Sequence, residues 1–373
     1  MLIIERLITM LWKEFSKKSD IDTGSKQQVL WNAGELRFPC LSYNDAMSLW
    51  GSDKPDTRYG SRIFQIQDLI DPALRGRFAR IEDPIIDLIR IRMAMKPEKS
   101  RDWISKFLDR PIHAAFAANP HGSAGIFIFD PSKPLNGLSA LEHQAAEGIV
   151  ELLHPQRGDL LVLQARPNRP FQGEGSTAMG ALRRELHQSL IHDGIMPRPR
   201  QDEFLWINQF PLFSPTSEGE PGHGGMAGIK STHHPFTAPE SLSDIDKLVK
   251  DPLSCKADHF DLVINGIEIG GGSCRIHDSQ VQEMVLRDIL KLPEMKVEQF
   301  RPLLEALRAG CPPHAGIALG FDRLMTILAE TDGVRNVMAF PKSSNGCDKT
   351  MGAPSVVEPA RWAEYHLLPQ EVI

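Results

Sequence analysis

The sequence predicts an α+β protein, and three observations carry that prediction. Asn265-Gly266 stands between two alternating apolar runs, the strongest short-range signal for an antiparallel hairpin. Residues 67–175 mix short apolar runs with a helical period, which suggests an α+β insertion folded on its own. Segments with helical spacing or capping residues, at 1–15, 176–192, 278–289 and from 321 onward, supply helices around the strands.

Bulk properties bound the reading. At 373 residues the chain could hold two or three domains. With 41% hydrophobic and 24% charged residues it reads as a soluble globular protein with a substantial core. The net charge of -6, from 42 basic against 48 acidic residues, argues against gripping nucleic acid by bulk charge. A local basic groove stays open. The five cysteines (Cys40, Cys255, Cys274, Cys311 and Cys347) are scattered without zinc or disulfide spacing and suit a reducing compartment. No apolar run approaches membrane-spanning length.

From the N-terminus, Ile4, Leu7, Ile8, Leu11 and Trp12 recur at helical spacing, with Glu5, Lys13 and Glu14 outside the stripe. This predicts an amphipathic helix. A targeting peptide is the competing reading, and the acids Glu5 and Glu14 count against it. Residues 19–34 are polar and read as loop. From Ser42 a short helix runs to its stop at Gly51, and GSDKPD (51–56) follows as a turn. Lys54 reads there as a solvated turn residue rather than a substrate contact.

Within 67–175, the runs at 126–129 and 160–163 read as strands and Ala140 to Leu153 as helix, with no catalytic constellation. RPNRPFQGEGS (166–176) lacks the lysine and the strand-loop-helix pattern of a P-loop, so it reads as a hinge. Ser176 or Thr177 caps a helix to about His192, which Gly194 ends. FLWINQFPLF (204–213) reads as a strand ending at a proline, and the glycine-rich 218–228 as a flexible loop. Next come His233 and His234. Neighbours on a strand point to opposite faces, so one is expected to face a pocket while the other packs.

The hairpin is the chemical centre of the sequence. A two-residue turn opposes Ile264 to Ile267, Val263 to Glu268 and Asp261 to Gly270. Phe260, Leu262, Ile264, Ile267 and Ile269 then form a core face, and Asp261, Val263, Glu268, Gly270 and Gly272 the other. Asp261 and Glu268 become diagonal neighbours able to share one cation above a glycine floor. Such a surface suits a nucleotide with magnesium; a solvent-facing hairpin with scattered charge is the alternative on these residues alone. Strict alternation would bury Arg275 on the core face, so a bulge within Gly270 to Gly272 is expected to turn it toward the carboxylates. There it would read a carboxylate or phosphate through paired hydrogen bonds.

Asp278 or Ser279 caps the next helix, with Val281, Met284, Val285 and Ile289 on one face. A strand from Gly316 to Leu319, then Gly320, leads into a helix from Phe321 with Leu324, Ile327 and Leu328 as its buried stripe. Arg323 lies in that helix's first turn, an unfavourable place for a cation unless an anion is bound.

THHPFTAP (232–239), DLVINGIEIGGGSCRIH (261–277) and PPHAGIALGFDRL (312–324), in that order, resemble the second half of class II aspartyl-tRNA synthetases of the bacterial and mitochondrial type. Phe38-Pro39 with Leu41-Ser42-Tyr43, GSDKPD, and STAMGALRREL (176–186) fit the same family, so the resemblance covers most of the chain. CPPHAGIALGFDRL (311–324) and FPKSS (340–344) resemble the fungal mitochondrial branch. Gln209 stands where the family usually has an aspartate.

The resemblance implies a class II synthetase catalytic domain, an antiparallel sheet flanked by helices, interrupted by an α+β insertion. Residues 1–66 would begin that domain, 67–175 form the insertion, and 176–373 carry the remainder with the third class II motif. The implied activity is that of an aspartate–tRNA ligase acting in mitochondrial translation, with ATP, L-aspartate and tRNA(Asp) as substrates and magnesium as cofactor. Asp261 and Glu268 would hold the magnesium. Arg275 would select the aspartate side chain, with His233 contacting the amino acid and His234 close to it. Glu268 and Gly320, Phe321, Asp322 and Arg323 would hold ATP, Arg323 and Glu268 being the catalytic pair. In the family the opening helix follows the second motif. The expectation is therefore a catalytic domain incomplete at its N-terminus, without the dimer-forming first motif, the second motif or the anticodon-binding barrel. An inactive fragment or binding module, and an asparaginyl or amide-forming relative, are the alternatives. The mitochondrial matrix is the implied compartment, with no transit peptide visible, and the cytoplasm is the alternative.

Overall fold

The computed structural model of the chain describes residues 1–16, 37–78, 81–111, 113, 116, 118–216, 225–241 and 245–368. The loop expected at 19–34, and most of the glycine-rich stretch 218–228, lie outside the described residues. In chain order the strands are β1 (Cys40–Ser42), β2 (Phe64–Gln65), β3 (Ile85–Ile91), β4 (Gly125–Ile128), β5 (Leu160–Arg166) and β6 (Phe204–Asn208). There follow β7 (Phe213–Pro215), β8 (Ile229–Ser231), β9 (His259–Ile264), β10 (Ile267–Cys274) and β11 (Ala315–Leu319). They form a five-stranded sheet β1-β6-β9-β10-β11, a four-stranded sheet β2-β3-β5-β4 and a β7-β8 pair.

The five-stranded sheet carries the hairpin at β9-β10. It is antiparallel except at one edge, where β1 runs parallel to β6. The long crossover between those two strands, which contains the whole second sheet, makes a parallel pairing possible. One face buries Trp206, Leu262, Ile264 and Ile269 under Ile8 and Trp12 of helix Leu2–Phe15 and Leu324 and Leu328 of helix Phe321–Leu328. On the other, Leu205, Ile207 and Val263 meet Tyr43, Ala46 and Met47 of helix Tyr43–Trp50. Helices thus cover both faces of a mixed α+β layer.

The N-terminal stripe is rotated from the expected one. Leu7 is 41% exposed, whereas Glu5 is buried and its Oε1 accepts a 2.9 Å hydrogen bond from the buried Trp206 Nε1. An indole N–H in a core needs an acceptor, and here the helix supplies a carboxylate in place of an apolar side chain.

The second sheet is apolar on both faces, which explains the unbroken runs in its strands. Ile86, Leu88, Leu161 and Leu163 pack against Ala145, Ile149 and Leu153 of helix Glu142–Leu153. Ile89, Ile91, Leu160 and Val162 face Trp103 and Phe107 of helix Pro97–Leu108, with Leu182, Leu186 and Leu190 of helix Ala178–His192. The period of two sends neighbours along each strand to opposite cores.

The stretch 204–213 is not one strand. β6 ends at Asn208, Gln209 takes a left-handed φ of 57°, and Phe213 starts β7 in a separate pair. Gln209 is held there by its Oε1, which accepts from Lys256 Nζ at 3.1 Å, and its Nε2, which donates to Glu240 at 2.7 Å. No described helix is long and apolar enough to cross a membrane.

Candidate active site

The hairpin turn is built as the sequence predicts, with Asn265 and Gly266 both at positive φ (56° and 77°). Ile264 pairs with Ile267 and Val263 with Glu268, but the register then shifts between Glu268 and Gly270. The bulge lies on the near side of the triglycine rather than inside it. Asp261 consequently opposes Gly271, not Gly270. The shift brings Gly271, rather than Gly270 and Gly272, to the carboxylate face. A Cβ on Gly271 would fall 2.7 Å from Asp261 Oδ1 and 3.4 Å from Glu268 Oε1. Gly270 and Gly272 serve another purpose: a Cβ on either would strike β11 carbonyls, at 2.5 Å from Ala318 O and 2.3 Å from Gly316 O. The same shift frees Arg275 from the core, as the bulge argument requires. Ile267, released at the hairpin end, is 39% exposed rather than a core residue.

A cleft of about 350 Å³ opens on this face, lined by His233, His234, His259, Asp261, Glu268, Gly271, Arg275, Gly320 and Arg323 among others. At its base the rings of His233 and His259 stack at 3.5 Å, with Phe210 edge-on to both. His259 Nε2 lies 2.9 Å from Asp261 Oδ1, fixing that buried carboxylate. Burial pulls the His259 imidazole below its usual range, against the opposing pull of Asp261. One ring nitrogen each of His233 and His259 and one oxygen of Asp261 lie within 4.8 Å of one another.

Lys54 is not a solvated turn residue. Its side chain is 21% exposed, and Nζ donates to Asp53 Oδ2 at 2.7 Å. The same ammonium lies 3.6 Å from Glu268 Oε2 and 3.8 Å from both Asp261 Oδ2 and Glu174 Oε1. Burial alone would lower its pKa, but Asp53, Asp261 and Glu174 together raise it above the ordinary lysine value. Glu174 comes from the stretch read as a hinge, and its Oε1 also lies 3.2 Å from His233 Nε2. The His233 contact, with Lys54 and His259, outweighs burial and holds the Glu174 carboxyl at about 2.

Both histidines of the pair line the cleft. Residues 232–236 are bends and turns, not strand, so strand alternation does not apply. His234 is exposed and stacks on Phe236 at 4.9 Å. The Arg275 guanidinium lies over that same ring, 4.9 Å from its centroid, and its Nη1 is buried without a hydrogen-bond partner among the described residues. Arg323 projects from the first turn of helix Phe321–Leu328; its Nη1 donates to the Glu268 carbonyl at 3.1 Å and lies 3.6 Å from Glu268 Oε2. Gly320 caps that helix, its N–H donating to Ile269 O at 2.6 Å, while Phe321 and Asp322 are exposed beside it.

Asp261, Glu268 and Arg275 of the hairpin therefore line one cleft with Gly320 and Arg323, whereas Phe321 and Asp322 stay outside its lining. Magnesium suits the upper part of the cleft, where Asp261 Oδ2 and Glu268 Oε2 already converge on one cation, the Lys54 ammonium, over a glycine that leaves room. Those donors are all oxygen, the kind magnesium takes; the imidazoles lie below. Sequence reasoning missed Asp53, Glu174 and His259, and preferred a solvated turn residue for Lys54. His259 carried a signal in standing two residues before Asp261 on the same strand face, and Asp53 and Lys54 in lying within GSDKPD.

A family model described as tRNA synthetases class II (D, K and N) matches residues 1–344. A protein described as aspartate–tRNA ligase, mitochondrial, from Schizosaccharomyces pombe is 36% identical over 335 residues, 88% of this chain and 51% of that protein. One of the same description from Dictyostelium discoideum is 34% identical over 388 residues, 98% of this chain and 51% of its own. An aspartate–tRNA(Asp/Asn) ligase from Salinibacter ruber is 34% identical over 339 residues, 87% of this chain and 50% of its own. The chain spans about half the length of the curated relatives it matches.

Proposed function

Because the chain belongs to the class II tRNA synthetases of the D, K and N type, we propose that it activates L-aspartate with ATP and transfers it to tRNA(Asp), in mitochondria. One observation carries the choice of amino acid: the Arg275 Nη1, buried in the cleft beside His233 and His234 without a partner among the described residues. A buried guanidinium donor needs an acceptor, and a carboxylate accepts a charge-assisted pair of bonds where an amide offers one oxygen and an ammonium none. Among aspartate, lysine and asparagine, that favours aspartate.

In this reading the α-carboxylate oxygen of aspartate attacks the α-phosphorus of ATP. The bond from that phosphorus to the bridging oxygen breaks, pyrophosphate leaves, and aspartyl-adenylate remains. A ribose hydroxyl at the tRNA terminus then attacks the aspartyl carbonyl, its proton passes to the departing phosphate oxygen, and AMP leaves. Arg275 holds the side-chain carboxylate while His233 and His234 border the amino acid. Arg323, tied to the Glu268 carbonyl, supplies a fixed positive charge for ATP, and the Gly320 to Asp322 backbone forms the surface beside it. Asp261 and Glu268 would hold magnesium, which when bound offsets phosphate charge. No general base is needed, because positioning and charge stabilisation suffice.

Amino-acid-dependent ATP–pyrophosphate exchange tests the reading. Exchange with L-aspartate should exceed that with L-asparagine by on the order of 10²-fold or more, because a site built to pair a charged group rejects the analogue lacking it. Equal exchange with asparagine or lysine would remove the Arg275 argument. Binding of ATP and aspartate with no exchange would instead identify a binding module.

A further inference from the structure

The Lys54 ammonium stands where four carboxylates meet, those of Asp53, Glu174, Asp261 and Glu268. Two of the four are the pair read above as the magnesium carboxylates. Lys54 is also fastened in place. Asp53 is buried; its Oδ2 accepts from Lys54 at 2.7 Å and from the Gly175 N–H at 3.0 Å, and its own N–H donates to Gly175 O at 3.1 Å. The ammonium therefore cannot swing away without breaking a buried contact.

We propose that Lys54 is a tethered cation that guards the metal seat: it keeps free divalent ions off Asp261 and Glu268 and admits the metal only with nucleotide. The inference rests on the reading that these two carboxylates hold the magnesium. A free dication sharing their oxygens would sit beside a fixed ammonium in a partly buried cleft, where like charges repel strongly. Metal arriving on ATP comes with a net negative charge, and the phosphates attract Lys54 and Arg323 instead. Lys54 is thus a positioning residue that sets the order of binding. It also balances the carboxylates before substrate arrives, so that they neither repel the phosphates nor splay apart.

Mn²⁺ titration followed by the electron paramagnetic resonance signal of the free ion, read with ATP present against an ATP-only blank because Mn²⁺ binds ATP in solution, tests this without relying on activity. Wild-type protein should bind Mn²⁺ weakly alone and far more tightly with ATP. Lys54→Met should bind Mn²⁺ alone at least about tenfold more tightly than wild type, and so lose most of the nucleotide dependence. Lys54→Arg should behave as wild type. Lys54→Gln, which retains a hydrogen bond to Asp53, should behave as Lys54→Met and guards against loss of the turn; circular dichroism and Tm confirm folding. A lysine that only braces the turn would leave Mn²⁺ affinity unchanged. Glu268→Ala in each background separates the two readings. If ATP-dependent Mn²⁺ binding needs Glu268 but Lys54→Met and Lys54→Gln bind free Mn²⁺ no better than wild type, the guard is wrong and the metal reading stands. If Mn²⁺ binding with ATP is indifferent to Glu268, both fall.

Discussion

Arg275→Leu separates a substrate-reading arginine from a structural one, because the two roles predict opposite effects on the free protein. In the unliganded structure the change removes the cation–π contact with Phe236, worth about 0.5–2 kcal/mol. It also removes a buried, unpartnered Nη1, a penalty of about 1–3 kcal/mol. These nearly cancel, so stability should change by no more than about 1 kcal/mol, with Tm near wild type or slightly higher. Bound aspartate, by contrast, loses a charge-assisted partner and is left as an uncompensated charge, which costs about 3–5 kcal/mol. That is a weakening of about 10² to 10³·⁵-fold in Kd. Calorimetric titration with L-aspartate and, separately, with ATP measures it, and the KM for aspartate in pyrophosphate exchange should follow. ATP affinity should stay within about threefold of wild type. Arg275→Lys should fall between, keeping the charge but not the planar fork. A mutant with near-normal aspartate affinity, or one that loses several kcal/mol of stability, would show that Arg275 serves the fold.

Gly271→Ala should disable the site while leaving the sheet standing. The added Cβ meets Asp261 Oδ1 at 2.7 Å, and His259 keeps that carboxylate from yielding, so exchange should drop about 10²-fold at a stability cost of about 1–3 kcal/mol; full activity would mean that the carboxylate is free to move. His187 tests the second core. Burial, then Arg183, hold its pKa at about 3, below the usual 6.5 of the unfolded chain, so the unfolded state binds more protons across that interval. Its neutral-ring stability is complete above pH 6.5 and is lost as pH falls toward 3, amounting to about 2 kcal/mol at pH 5. Urea unfolding at pH 7 and pH 5 should show a smaller drop for His187→Gln than for wild type, and equal drops would contradict the burial argument.

What the sequence made legible was local. Asn265-Gly266 set the hairpin and its first two pairs because a two-residue turn leaves no freedom in register. Arg275 could be turned into the cleft by arithmetic alone, since a guanidinium in a core is expensive and a glycine run permits a bulge. The position of the bulge was not legible. It depends on β11, whose carbonyls pass so close that Gly270 and Gly272 are required on the other side. Periodicity failed for the first helix for a related reason: Glu5 faces inward for a single partner, Trp206, on a strand far along the chain.

The acidic ring around Lys54 was hidden more completely, and the cause is again a close approach. A Cβ on Gly180 would fall 1.9 Å from Gly51 O, so the turn after helix Tyr43–Trp50 rests directly on the first turn of helix Ala178–His192. Thr177 N–H donates to Gly51 O at 2.8 Å, and Tyr43 Oη to Gly173 O at 2.7 Å, so the chain on both sides of Glu174 is pinned to the segment that bears Lys54. GSDKPD and STAMGALRREL can each be matched as local motifs, but neither shows that the two segments touch. Their meaning comes from two glycines that let backbones touch across more than a hundred residues. The same contact joins the cleft to a helix buried against the second sheet. The second sheet is therefore packed onto an element that sets the position of Glu174, and through Gly175 and Asp53 that of Lys54.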